Sequence, residues 1–136
     1  MKYTPEEINK LERNQIFVFG SNTAGRHGAG AARQALKWGA RYGVGIGLEG
    51  QTYALPTKDH EIETLSLYDI EKYIKNFLEF AKEKKEYEFL VTKIGCGLAG
   101  YTTDQIGKLF GKHKVSSNVI LPIEFAKFIK NYGNQN

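Results

Sequence analysis

Residues 16–19, Ile-Phe-Val-Phe, are four consecutive apolar strand formers. An unbroken run of this kind predicts a strand covered on both faces, as in parallel sheets. The run stops at Gly20-Ser21-Asn22-Thr23-Ala24-Gly25-Arg26-His27-Gly28, and residues 29–40 return to helix formers with Ala32, Ala35, Leu36 and Ala40 at helical spacing. The same sequence of events recurs. Residues 51–55 predict a strand stopped by Pro56, with Thr57-Lys58-Asp59-His60 as its polar exit. Ser66 predicts the cap of a long amphipathic helix, with Asp69 at its third position and Leu67, Ile70, Ile74, Phe77, Leu78 and Ala81 as the apolar stripe. Residues 89–94 predict the next buried strand, Gly95-Cys96-Gly97-Leu98-Ala99-Gly100-Tyr101 a second glycine loop, and Thr102-Thr103-Asp104-Gln105 a capping box that opens another helix. Residues 119–121 predict a last short strand, followed by a helix over 123–132. At the other end, Thr4-Pro5-Glu6-Glu7 has the form of a helix start and predicts a short helix over 5–13. Residues 43–50 read as connecting chain with room for a short edge strand.

Strands alternating with helices predict an α/β protein with a largely parallel sheet and helices on both faces. With 136 residues and no linker, repeat or low-complexity stretch, the chain is expected to form a single domain over 1–136. The single cysteine, Cys96, allows neither an internal disulfide nor a cysteine zinc site, so no metal or cofactor is expected and a reducing, cytoplasmic setting is. Residues 1–5 carry no apolar signal segment, and no run approaches the length of a membrane span, so no membrane partner is expected. The formal charge of +4 favours an anionic partner without naming it. The lysines of 82–85 alternate with glutamates and read as a solvated helix face.

Three segments rich in glycine or polar residues each follow a predicted strand. In an open parallel sheet the carboxyl ends of the strands share one edge, where ligands bind. Residues 20–28, 57–60 and 95–101 are therefore expected to converge on one crevice. A glycine loop lets main-chain N–H groups approach a ligand and turn into one concavity, which suits phosphate. Two such loops suit a diphosphate. Standard nucleotide fingerprints do not fit. Gly20 and Gly25 have the spacing of a P-loop, but Arg26-His27 stands where Lys-Ser/Thr is needed. Gly95-Cys96-Gly97-Leu98-Ala99-Gly100 matches G-x-G-x-x-G, yet it falls too late in the chain for a second mononucleotide unit and lacks the acidic residue that would follow.

Side chains in these loops offer further chemistry. Lys58 is a candidate nucleophile or phosphate contact. Arg26 is a candidate for a terminal phosphate or carboxylate, and His27 for general acid–base work. Cys96, between glycines and near a helix start, is a candidate thiolate or a packing residue. Ser21 and Asn22 open the first loop, and the Asn22 amide can meet a sugar or shape a turn. His60 and His113 carry no readable arrangement.

Val18-Phe19-Gly20-Ser21-Asn22 followed by Gly28-Ala29-Gly30-Ala31-Ala32 resembles the opening of a macrodomain. Tyr53-Ala54-Leu55-Pro56-Thr57-Lys58 is similar to its middle strand, Ile94-Gly95-Cys96-Gly97-Leu98-Ala99-Gly100-Tyr101 to its second phosphate loop, and residues 119–121 to its closing strand. The resemblance covers about residues 16–121 and is nearest to the terminal ADP-ribose glycohydrolase subgroup, together with small stand-alone proteins of bacteria and phages. It implies a three-layer α/β/α fold with a mostly parallel, mixed sheet, and binding of ADP-ribose or a related nucleotide. In that scheme Asn22 contacts the distal ribose, amides of Gly28, Ala29, Gly30 and Ala31 and of residues 95–100 hold the diphosphate, and Tyr101 lies against the distal ribose. The chain departs from both hydrolase patterns: Ala99 and Ala29 stand where their catalytic aspartates would be. The readings that follow are a binder of ADP-ribose, free or carried on a protein or nucleic acid; a hydrolase of ADP-ribosyl linkages or a phosphatase of ADP-ribose 1″-phosphate using Lys58, His27 or Asp104; and a nucleic-acid-binding module.

Overall fold

Along β1 (Gln15–Asn22) the side chains alternate between two apolar environments. Ile16 and Val18 join one buried cluster, while Phe17 and Phe19 join another on the opposite face. Period-two alternation with both faces buried places this strand at the centre of a sandwich of layers. The computed structural model describes residues 2–134 and gives the sheet order β2-β3-β1-β4-β5. Here β2 is Gly47–Glu49, β3 Thr52–Lys58, β4 Glu88–Val91 and β5 Val119–Ile120. All neighbours are parallel except the β2–β3 pair. The α/β reading with a mostly parallel, mixed sheet therefore holds.

On one face lie α2 (Leu67–Glu83), α3 (Thr103–Phe110) and α4 (Ile123–Ala126). They contribute Ile70, Ile74, Phe77, Ile106, Phe110 and Phe125 to a cluster with Leu55, Phe89 and Val91 of the sheet. The other face is covered more thinly. There α1 (Gly30–Ala35) sets Ala32 and Ala35 against Phe17, Phe19 and Leu90, and Ile8 and Trp38 fill the remainder. Ser66 caps α2 by accepting from Asp69 N–H, as its sequence position predicts. Among the described residues no helix is long and apolar enough to cross a membrane.

Several element bounds differ from expectation. No helix forms over 5–13. Thr4, the expected cap, instead gives its N–H to Leu121 O at 2.9 Å and its hydroxyl to Ile120 O at 2.9 Å. That ties the segment across the end of β5, and Ile8 docks as its one fully buried apolar residue, with Leu11 only partly covered beside it. The helix expected over 29–40 is broken into α1 and a 3-10 turn, Leu36–Trp38, ended by Gly39 at φ 111°. The helix expected over 123–132 is only the four residues of α4, after which Tyr132 turns inward to donate its hydroxyl to Lys2 O.

β3 runs through Pro56 instead of stopping before it. The missing N–H is tolerated because β2 ends opposite Ala54, leaving Pro56 itself without a ladder partner on that side before the chain pairs again at Lys58 with Thr64, and because the β1–β3 register slips between Ser21 and Asn22. β1 likewise extends through Asn22, so Gly20, Ser21 and Asn22 belong to strand rather than loop. β4 stops at Val91, short of the expected Ile94.

Candidate functional site

Since β1, β3 and β4 are parallel, their carboxyl ends face one edge, and the segments that follow them enclose a crevice of about 440 Å³. β1 and the first glycine loop contribute Gly20, Ser21, Asn22, Arg26, Gly28 and Ala29. The start of α1 contributes Gly30, Ala31 and Ala32; the end of β3 contributes Thr57 and Lys58, with Ile62 just beyond. The β4 exit and the second glycine loop contribute Thr92, Lys93, Ile94, Gly95, Gly97, Leu98 and Ala99. The three segments expected to converge do so.

Main-chain amides are the most abundant polar groups here. The N–H groups of Gly28, Ala29, Gly30 and Ala31 make no hydrogen bond among the described residues, and neither do those of Gly95, Gly97, Leu98 and Ala99. Two runs of unspent donors thus line one cavity. Gly28 and Gly97 add a second feature. Neither is in the left-handed region, and a Cβ built on either would meet nothing within 4 Å. Neither backbone geometry nor protein packing requires glycine at these two positions; its effect is to leave the crevice open against bare main chain.

The charge in the crevice is one-sided. Arg26, Lys58 and Lys93 line it, and among the described residues no Asp or Glu does. Among the described residues the Arg26 and Lys58 side chains have no partner. Asp59 makes no ion pair with Lys58 among the described residues; its Oδ1 accepts from Glu61 N–H at 2.9 Å and Glu63 N–H at 3.0 Å instead. Both free cations are gathered around Asn22: Lys58 is its register partner on β3, and Arg26 is bound to it through the main chain. Lys93, at the β4 end, differs. Its ammonium meets Glu6 at 2.6 Å and Glu124 at 3.0 Å, and these two hydrogen bonds, Glu6 first, hold it above the ordinary lysine range.

Individual side chains behave less uniformly than the sequence suggests. Asn22 accepts from Arg26 N–H and donates to Arg26 O, both at 2.9 Å. Its amide therefore shapes the first loop even as it lines the crevice. The Ser21 hydroxyl turns to Gly45 O at 2.6 Å. His27, expected as an acid–base group on the loop, is fully buried and does not reach the crevice. Its Nε2–H donates to Arg41 O at 2.9 Å and Val44 O at 3.1 Å, its ring meets Phe19 edge-on, and Nδ1 has no hydrogen-bond partner among the described residues. It ties the loop to the 41–44 turn through these two carbonyls.

In the second loop, Cys96 also turns away from the crevice, toward Ile94 O. Burial pushes its thiol up to about 11, outweighing the pull of Lys93, which favours the protonated thiol over the thiolate. A Cys96–His27 pair is not formed. Tyr101 does not lie against the crevice either; it packs on the core and donates its hydroxyl to Leu65 O at 2.8 Å. Gly100, at φ 92°, closes the turn by donating to Gly97 O. Asp104 sits on the first turn of α3, paired with Lys127 at 3.2 Å and away from the cavity.

Ile62, Thr92 and Lys93 are crevice residues that the strand-and-loop pattern does not single out. Lys93 carried a usable signal, a charge at a strand exit two residues before a glycine loop. Beyond it, a second cavity of about 320 Å³ opens between the N-terminal segment and the sheet, lined by Thr4 to Asn9, Phe17, Gln34 and Pro122. It shares Ala31, Thr92 and Lys93 with the crevice, so the two adjoin. Comparison with protein family models, with curated proteins and with solved structures finds no match.

Proposed function

We propose that the protein binds ADP-ribose, or a closely related nucleoside diphosphate joined to a second sugar, in this crevice. The observation that carries the reading is the pair of unspent amide runs facing one cavity across Gly28 and Gly97, where bare main chain is exposed at no structural need. Amides so gathered favour a phosphate at each run, which is what a diphosphate presents. The order of strands and loops, with its resemblance to a macrodomain, supports the same ligand. The diphosphate and the sugar beyond it are assigned to the Asn22 end, where Arg26 and Lys58 have no side-chain partner among the described residues, and the nucleoside to the adjoining cavity beyond Lys93, whose charge two glutamates already offset.

Binding without hydrolysis is the form of this reading that the geometry favours. A hydrolase needs a group to activate water, and no carboxylate lines the crevice among the described residues, while His27 and Asp104 lie outside it. Lys58 alone among the proposed catalytic groups lines the cavity.

A thermal-shift series with ADP-ribose, its 1″-phosphate, NAD, AMP and ATP tests the reading, followed by a check that ADP-ribose is recovered unchanged. Ligand at a hundred times its dissociation constant adds about 2.7 kcal/mol, several degrees in a domain of this size. The expected result is stabilisation by ADP-ribose that Gly97→Glu abolishes while melting normally without ligand. A protein indifferent to ADP-ribose would overturn the proposal.

A further inference from the structure

Ile62 is held at φ 66°, in the left-handed region. A β-branched side chain is a poor choice there, since its Cβ crowds the carbonyl that follows, and Gly or Asn usually fills such a position. The neighbouring chain over-determines the conformation. Asp59 Oδ1 accepts from the amides on both sides, Glu61 and Glu63; Ile62 N–H donates to Asp59 O at 3.1 Å; and Asp59 N–H donates to Glu63 O at 2.8 Å. The loop that results sets Ile62 in the wall of the crevice, on the β3 side and close in sequence to Lys58.

Facing the same crevice from the second glycine loop is Leu98, which is 80% exposed and joins no apolar cluster. The two loops are stitched together. Thr64 donates its hydroxyl to Ala99 O at 3.1 Å, and Tyr101 donates its hydroxyl to Leu65 O at 2.8 Å. Two apolar side chains, one strained and one without a protein neighbour in the core, are therefore carried on a single braced rim beside the cationic end of the cavity.

We infer that Ile62 and Leu98 form an apolar jaw that grips the face of a sugar ring attached beyond the diphosphate, so that they determine specificity for a ring-bearing ligand over a nucleotide ending in phosphate. The inference rests on the ADP-ribose reading and deepens it. A sugar presents C–H groups that two aliphatic side chains can cover, whereas a terminal phosphate presents only charge and water-binding oxygens. The backbone strain at Ile62 is then sustained for the ligand rather than for the fold.

The test compares ADP-ribose with ADP, which lacks the second sugar, by calorimetry on the parent protein, Ile62→Asn and Leu98→Ala. Asparagine accepts the left-handed conformation, so Ile62→Asn should melt no lower than the parent. Each variant should lose about tenfold in affinity for ADP-ribose and less than about twofold for ADP. Equal losses for the two ligands, or no loss for either, would overturn the jaw while leaving the binding site intact, as would a parent protein that binds both equally. If the parent does not bind ADP-ribose at all, the functional reading fails and the jaw fails with it.

Discussion

Gly95 and Gly97 stand two residues apart in one loop, and their surroundings have little in common. Gly95 sits at φ 75°, and a Cβ there would come within 2.8 Å of the Cδ1 of buried Ile106. Gly97 has an ordinary φ and open space. Alanine should therefore cost about 2 kcal/mol at Gly95, mostly from the left-handed backbone, and within about 0.5 kcal/mol of nothing at Gly97. Chemical denaturation of the two variants checks this. A sequence identifies both as loop glycines but cannot separate them, because the difference lies in φ and in what α3 places above the loop. The same limit applies to side chains. Asn22, Lys58 and Arg26 are found at the crevice as their positions promised, since a strand exit fixes where a residue goes. His27, Cys96 and Tyr101 lie in the same loops but point elsewhere, since the direction of a loop side chain depends on partners distant in sequence, here Arg41 and Val44, Ile94, and Leu65.

At the scale of elements, the long periodic segments and the capped helix starts were readable. Thr102 accepts from Gln105 N–H at 3.1 Å while Gln105 Oε1 accepts from Thr102 N–H at 2.9 Å, the reciprocal pair its spacing predicts. This cap starts α3 directly after the second glycine loop. Thr102→Ala should lower unfolding free energy by about 1 kcal/mol, measurable by urea titration. The helix expected over 5–13 does not form, and α3 shows what it lacks. Residues 102–110 pair a capping box with an apolar stripe that packs, Ile106, Leu109 and Phe110. Residues 4–13 have the start signal but bury only Ile8 among the core residues, too little to hold a helix against the bonds Thr4 makes to the β5 end. Helix signals at a terminus count for little without a face to bury.

The whole molecule depends on that irregular segment, because it covers one side of the sheet where α1 is short. Its fastenings are polar as well as apolar: Lys2 to Glu88 at 2.8 Å, Gln51 to Glu12 O at 2.9 Å, and Gln34 to Ile8 O. Burial pushes the Glu88 carboxyl up, but the hydrogen bonds from Lys2 and Gln15 and the charge of Lys2 together outweigh it and hold the group below its usual range. A folded-state value below the unfolded one stabilises above the ordinary carboxylate range and is lost as pH falls through the folded value. Glu88→Gln should therefore be less stable than the parent at pH 7, by under about 1 kcal/mol given the exposed lysine, with the gap closing as pH drops below about 4. Melting curves across that interval check the sign.

The bond from Thr4 to the β5 carbonyls has another consequence. The sheet ends on one side in a strand of two residues and on the other in one of three. Thr4 already donates its N–H to Leu121 O, an outward carbonyl just past the end of β5. Such short, partly occupied borders give a second chain almost no template for adding a strand, so self-association into fibrils has little to start from while the fold is intact.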